Sequence, residues 1–277
     1  MRTSVALAVR PGLTVSAVTC RDDHTGWSGA ETHDDYRLVL VSRGRFRRMA
    51  DGLAETVDPT IAYLGVPGEE ERFSHPAGGD VCTSVRITPE LWRTLAGDGG
   101  RPARPAVYTD ARLDLVHRRF LAATGYGPAR PGSGDHDYAL AEELLCLVAA
   151  ALDQVLPGRT PADDRPSRND RALVVRAREA IADDHPAAGG LFPLAELLGV
   201  SPYRLSRAFS RELGVSLTRY RNRVRVGRVL DRLEAGETRL GPLAADLGFA
   251  DQAHLTRTVR DFLGHTPAVL RRLLTGG

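Results

Sequence analysis

Two copies of one pattern lie in the last third of the chain, and they restrict its fold more than any other feature. LFPLAELLGVSPYRLSRAFSRELG runs from Leu191 to Gly214, and RLGPLAADLGFADQAHLTRTVRDFLGHTP from Arg239 to Pro267. Leu194-Ala195 and Leu198-Gly199 match Leu243-Ala244 and Leu247-Gly248, 49 residues on. Leu205-Ser206-Arg207 then matches Leu255-Thr256-Arg257, and Gly214 matches Gly264, at an offset of 50. One inserted residue in the second turn accounts for the change. An internal repeat of this size is a structural unit used twice.

Each copy predicts helix, tight turn, helix. Leu194, Leu197 and Leu198 give the first helix an apolar face at i, i+3, i+4. Gly199 and Gly248 stop the first helices, because glycine enters the left-handed region without a Cβ penalty. Ser201-Pro202 restarts a helix with serine at the N-cap and proline at the first position, and Asp251 takes the N-cap part in the second copy. The second helices are expected at about Pro202–Leu213 and Gln252–Leu263. Leu205 and Phe209 face inward in one, and Leu255, Val259 and Phe262 in the other. Tyr203, Arg204, Ser206, Arg207 and Arg211 face outward beside the Ser201 cap. Gln252, His254, Thr256, Arg257 and Arg260 do so in the second copy. These side chains suit base edges and phosphates. One such hairpin is equally a plain helical hairpin with a solvated arginine face. Two in tandem, each with arginine at the same outward position, point to duplex DNA.

The stretch at about 171–274 resembles the DNA-binding domain of the AraC/XylS family of transcription regulators. SPYRLSRAFSRELGVS, the linker segment RVRVGRVLDRL and LGFADQAHLTRTVRDFLGHTP carry the resemblance. Val259 stands where the family usually has Phe, and Val229 where its linker helix usually has Ala. The resemblance implies two recognition helices in successive major-groove segments. The helix Ser216–Leu233 between them is expected to pack its stripe Val226, Val229, Leu230 and Leu233 into both halves.

Charge supports this division. The net charge is only +2, but residues 171–277 hold 17 Arg against 11 Asp or Glu, while residues 1–170 hold 20 Arg against 24. The positive part is the repeat-bearing part, as a phosphate backbone requires. The chain contains no lysine; a GC-rich coding bias explains that without a functional account. At 277 residues the chain is long enough for two cores. Residues 157–166, PGRTPADDRP, carry three prolines and no apolar run, so a linker is expected at 157–169, between domains 1–156 and 170–277.

The fold class expected is α+β: an N-terminal cupin-like antiparallel β-barrel with a helical hairpin, then an all-α domain with two helix-turn-helix motifs. Tyr36–Val41, Arg45–Met49, Ile61–Val66 and Val81–Ile87 read as short strands among Gly and Pro turns. Asp137–Leu156 places Leu140, Leu144, Leu145, Val148, Leu152 and Val155 on one helical stripe. HDDYRLVLV from His33 with Ser42-Arg43-Gly44, then Val66-Pro67-Gly68, resembles the sensor module of AraC-type regulators. That resemblance implies a small-molecule effector inside the barrel. It also implies a homodimer through the stripe of Asp137–Leu156, which the residues alone leave equally open to intradomain packing. RNA polymerase is a candidate partner, and the sequence leaves open whether the chain acts as an activator or a repressor.

Chemistry is not expected. Metal-using cupins open with an H-x-H pair, whereas Glu31 and His33 stand here. His24, His33, His75 and Cys82 have ligand types suited to zinc, but their spacing is not diagnostic. The alternative reading is a cupin-type metalloprotein or enzyme with a DNA-binding appendage. No phosphate-cradling loop and no nucleophile elbow occurs, so no cofactor, metal or catalytic residue is assigned. Trp27 and Trp92 read as packing anchors, and Arg43–Arg48 as a solvated strand face. Three widely spaced cysteines, no signal peptide and no long apolar run make a cytoplasmic protein the expectation.

Overall fold

The computed structural model describes residues 2–21, 24–96, 106–124, 136–155 and 168–275, apart from the side chains of 136–139 and 168. These residues form two compact units that divide near residue 157. Most of the expected linker lies outside the described residues.

Among the described residues, the first unit is built from nine strands and three helices. The strands are β1 (Arg2–Arg10), β2 (Leu13–Cys20), β3 (Tyr36–Arg43), β4 (Phe46–Ala50), β5 (Leu53–Val57), β6 (Ile61–Gly65), β7 (Glu71–Ser74), β8 (Asp80–Ile87) and β9 (Ala106–Tyr108). The helices are α1 (Pro89–Ala96), α2 (Ala111–Ala123) and α3 (His136–Val155). A six-stranded sheet runs β1-β2-β8-β3-β6-β9 and a three-stranded sheet runs β5-β4-β7, with antiparallel neighbours throughout. The inner faces pack on each other through Val39, Val41, Tyr63 and Cys82 from the large sheet and Phe46, Val57 and Phe73 from the small one. The α+β expectation therefore holds, with the cupin-like barrel present as two facing sheets.

Strand β3 shows why this region reads as an unbroken apolar run. Leu38 and Leu40 point to one face and pack with α2 and α3, while Val39 and Val41 point to the facing sheet. A strand covered on both sides needs apolar residues at consecutive positions.

The outer face of the large sheet is covered by the helices. Leu144, Leu147, Val148, Ala151 and Val155 of α3 pack with Leu38, Leu64, Val85, Ile87, Trp92 and Phe120 in one core. This corrects the expected dimer stripe. Leu144 and Val148 are buried inside their own unit, and Leu145 is 70% exposed. The sheet supplies an apolar surface of its own, and covering it is what the stripe does. Trp92 is a packing anchor as expected, stacked on Tyr36 with centroids 4.3 Å apart.

Arg48 is a second correction. The run 43–48 is not wholly a solvated strand face, because Arg48 follows Phe46 at the strand period of two and turns inward, only 2% exposed. Its Nε donates to Glu71 Oε1 and its Nη2 to Glu69 Oε2, each at 2.5 Å, and its guanidinium lies 4.5 Å from the Tyr63 ring centroid. A buried charge needs such a shell. Arg47, on the other face, stacks over Trp27 at 5.0 Å.

The second unit is helical: α4 (Arg168–Ala182), a 3-10 turn (Pro186–Gly189), α5 (Leu191–Leu197), α6 (Pro202–Leu213), α7 (Leu217–Glu234), α8 (Leu240–Asp246), α9 (Gln252–Leu263) and α10 (Pro267–Thr275). The long helix α7 is its spine. Val226, Val229, Leu230 and Leu233 are fully buried, as their stripe predicts. Tyr220 packs edge-on against Phe209 of α6 at 5.1 Å and its hydroxyl accepts from Arg178 Nε of α4 at 3.4 Å. Arg219 and Arg225 reach the other way, over Phe262 of α9 and Phe249 before it, at 5.0 and 5.7 Å. Among the described residues, no helix is long and apolar enough to cross a membrane.

Candidate nucleic-acid interface

The two hairpins are built by the same local bonds. In the first, Gly199 N donates to Glu196 O at 3.0 Å and Val200 N to Ala195 O at 3.0 Å. In the second, Gly248 N donates to Ala245 O at 3.1 Å and Phe249 N to Ala244 O at 2.9 Å. Gly199 and Gly248 have φ of 68° and 70°, the left-handed region where a side chain is strained. Each reading helix then starts on a side-chain cap: Ser201 Oγ accepts from Arg204 N at 3.2 Å, and Asp251 Oδ1 from His254 N at 2.6 Å. Both helices end on a left-handed glycine, Gly214 and Gly264.

The match between the bonds locates the inserted residue at Ala250. The first turn passes from Val200 directly to the Ser201 cap, whereas Ala250 intervenes between Phe249 and Asp251. Ala250 N is satisfied by His254 Nδ1 at 3.2 Å, and the His254 ring stands edge-on to Phe249 at 5.5 Å. His254 thus closes its own turn, which leaves Nε2 for any outward contact.

Burial separates the faces of the reading helices. Leu205, Ala208 and Phe209 are buried on α6, and Leu255, Val259 and Phe262 on α9. Fully burying one such large apolar side chain stabilises by about 1.5–3 kcal/mol. Val259 is fully buried. One inward expectation fails: Leu197 is 42% exposed, and Ala195 takes its place beside Leu194 and Leu198. The helix α5 is only seven residues long, and its first turn is set by Gly190 and Pro193.

Outward, Ser201, Tyr203, Arg204 and Arg207 are exposed on the first copy, and Gln252, Arg257 and Arg260 on the second. Ser206, Arg211, His254 and Thr256 are half-buried. Arg207 Nη1 donates to the Tyr203 hydroxyl at 2.7 Å. Arg204 Nη2 lies 3.5 Å from Asp170 Oδ1 on α4, a contact between distant segments that the repeat pattern does not reveal. Two parallel roles thus emerge. Arg207 and Arg257 project at the same repeat position, while Arg204 and His254 are partly spent on local structure.

The other expected ligand types fall into two groups. His33 lies 3.9 Å from both Glu31 and Glu71. Burial, then the nearby Arg37 charge, holds its pKa below the ordinary histidine value. His24 and His75 stack at 5.2 Å, and His75 Nε2 is 3.0 Å from Asp80 Oδ1. Cys82 Sγ donates to Asp80 Oδ2 at 2.8 Å, and burial, with the Asp80 charge, pushes that thiol well up. His33 therefore does not converge with the other three.

A family model described as a helix-turn-helix domain matches residues 194–273. The transcriptional activator RhrA of Rhizobium meliloti is 28% identical over 133 residues, 47% of this chain and 40% of that protein. The chain thus spans under half the length of this relative. The C-terminal domain of AraT, a response regulator from Geobacillus stearothermophilus, is 29% identical over 39% of this chain and 88% of its own, with a TM-score of 0.34. ToxT from Vibrio cholerae aligns with 97% of this chain and all of its own at 11% identity and a TM-score of 0.34. The repeated hairpins, their shared caps and the matching family model make the C-terminal part of this chain a helix-turn-helix domain with two copies of the motif.

Proposed function

We propose that the whole chain is a sequence-specific transcription regulator that binds a promoter or operator in double-stranded DNA and responds to a small-molecule effector. The observation that carries this is the pair of equivalent reading helices, α6 and α9, each presenting arginine at the same outward position. Their N-terminal turns enter successive major-groove segments, about 34 Å apart on one face of B-DNA. Arg207 and Arg257 read guanine edges, with Tyr203, Ser206, Gln252 and Thr256 beside them. Ser201, Arg204, Arg211, His254 and Arg260 line the grooves and meet phosphates.

The N-terminal unit is the sensor. Its barrel interior is occupied by the aromatic cluster around Phe46 and Tyr63 and by the Arg48 ion pairs, among the described residues. A cavity of about 10 Å³ lies under α3, between Trp92 and Val148, and holds no more than one water. An effector therefore enters by moving side chains or by binding at the barrel mouth. A homodimer, RNA polymerase as a partner on activation and a cytoplasmic site complete the reading.

Footprinting on the DNA flanking the chain's own gene, with and without candidate metabolites, tests it. Protection of two adjacent major-groove segments is expected, altered by one metabolite. Uniform protection of all sequences at low salt, unchanged by any, contradicts it.

A further inference from the structure

The end of the barrel where β2 meets the β7–β8 turn holds a cluster of soft and hard donor atoms that DNA reading does not use. Strand register sets Cys20 of β2 directly opposite Asp80 of β8. Cys82 follows Asp80 at the strand period of two, on the same face. The turn then brings His75 over them. This approach is built into the backbone: a Cβ on Gly79 would stand 2.2 Å from the Cys20 carbonyl oxygen. His75 N donates to His24 O at 3.0 Å, so the segment before β3 is tied to the same turn.

One ligand atom each from Cys20, His75 and Asp80 lie within 4.8 Å of one another. Cys82 Sγ adjoins them, 2.8 Å from Asp80 Oδ2. Asp80 is 5% exposed, yet among the described residues none donates a hydrogen bond to its Oδ1, the His75 nitrogen 3.0 Å away not pointing along one. His75 Nδ1 is likewise buried without a hydrogen-bond partner among the described residues. A buried carboxylate oxygen left this way costs about 1–3 kcal/mol or more. A cation placed among these atoms removes that cost.

We propose that Cys20, His75 and Asp80 form a binding site for one transition-metal cation, with zinc(II) the ion the donor set fits best. Thiolate and imidazole select against magnesium and calcium, and a three-donor S/N/O set suits tetrahedral zinc with its fourth position left to water or to the adjoining Cys82. Zinc bonds of about 2.0–2.3 Å are reached by small side-chain shifts from the present spacing. The His24 ring, exposed and stacked on His75, marks the solvent side from which the ion enters. The site is distinct from Glu31, His33 and Glu71, where the Arg48 guanidinium already supplies the positive charge. Binding displaces thiol protons, so affinity rises with pH. The proposal does not rest on the DNA-binding reading.

The test is titration of the full chain, stripped of metal under reducing conditions, with cobalt(II) and then zinc(II). One cobalt per chain is expected, with a near-ultraviolet thiolate charge-transfer band and visible bands of tetrahedral strength that zinc abolishes. Zinc should also raise the melting temperature read from tryptophan fluorescence, since Trp27 and Trp92 both lie in this unit. Cys20→Ser and His75→Ala should each remove the one-to-one complex, and Cys146→Ser, an exposed cysteine on α3, should not. Far-ultraviolet circular dichroism of the metal-free variants establishes that they fold. Should a variant not fold, the wild-type cobalt spectrum decides. Cobalt binding without a thiolate band, binding weaker than that of free buffer ligands, or unchanged binding by folded Cys20→Ser overturns the proposal.

Discussion

Arg207 donates from Nη1 to the phenolic oxygen of Tyr203 at 2.7 Å, one helical turn back along the exposed face of α6. The guanidinium also lies 5.5 Å from the centre of the Tyr203 ring. In the proposed reading a flexible side chain is thereby aimed before any DNA arrives, so that less conformational entropy is lost on binding. Tyr203→Phe keeps the ring and removes the acceptor. It should weaken specific DNA binding by about 0.5–1.5 kcal/mol, the net contribution of one hydrogen bond. Fluorescence anisotropy with a fixed duplex at fixed salt measures this. An unchanged affinity would assign no role to the contact.

Asp251 caps α9 through a 2.6 Å bond to His254 N, and His254 in turn satisfies Ala250 N. Asp251→Ala should destabilise the C-terminal unit by about 1 kcal/mol, and Asp251→Ser by less. Urea denaturation followed by circular dichroism reads the difference. His254→Ala should cost less than Asp251→Ala, because Ala250 is exposed and water can take over its amide.

His117 sits fully inside the N-terminal unit, with Nε2 2.7 Å from Thr83 Oγ1. Burial lowers its pKa to about 4, against a small opposing pull from Asp114. The unfolded chain therefore binds this proton more readily than the folded one. The resulting stability is full above the ordinary histidine value near pH 6.5 and is lost progressively as pH falls from there towards 4. Melting followed by tryptophan fluorescence should show this decline, and His117→Gln should flatten it. A melting temperature that rises on acidification through that window would contradict the assignment.

Leu144 and Val148 separate core from interface. Both pack against the large sheet, so Leu144→Glu with Val148→Glu should unfold the N-terminal unit rather than yield a folded monomer. Leu144→Ala alone should cost about 2–5 kcal/mol. Sedimentation with circular dichroism distinguishes the outcomes, and a folded monomeric double variant would restore the stripe as an interface.

The repeat made the C-terminal domain legible nearly residue by residue. The bounds Pro202–Leu213 and Gln252–Leu263 are those observed, because caps, periodicity and left-handed glycines all act within a few residues. What escaped the sequence depends on distant contacts. Leu197 fits a helical stripe but has nothing to pack on. The stripe of α3 was visible, yet only the sheet beneath it decides that it is core. Strands β1 and β2 went unread: β1 is an edge strand with Val5 and Val9 exposed, and it lacks the apolar run that marked β3. Arg48 alternates inward with Phe46, a signal present in the strand period, but its Glu71 and Glu69 partners lie on another strand and turn. The donor cluster at Cys20, His75 and Asp80 spans 60 residues and has no spacing to betray it.

The central claim is that the two reading helices distinguish base sequence, and base readout differs measurably from charge. Binding of the full chain to its footprinted site and to a scrambled duplex should be measured across salt concentrations, with Arg207→Ala, Arg257→Ala and Arg260→Ala. Arg207→Ala and Arg257→Ala should each cost about 1–3 kcal/mol on the specific site and relax preference at one base position. Arg260→Ala should weaken both duplexes alike and flatten the salt slope by about one unit. If Arg207→Ala and Arg257→Ala weakened specific and scrambled DNA equally, α6 and α9 would be gripping phosphate and not reading sequence.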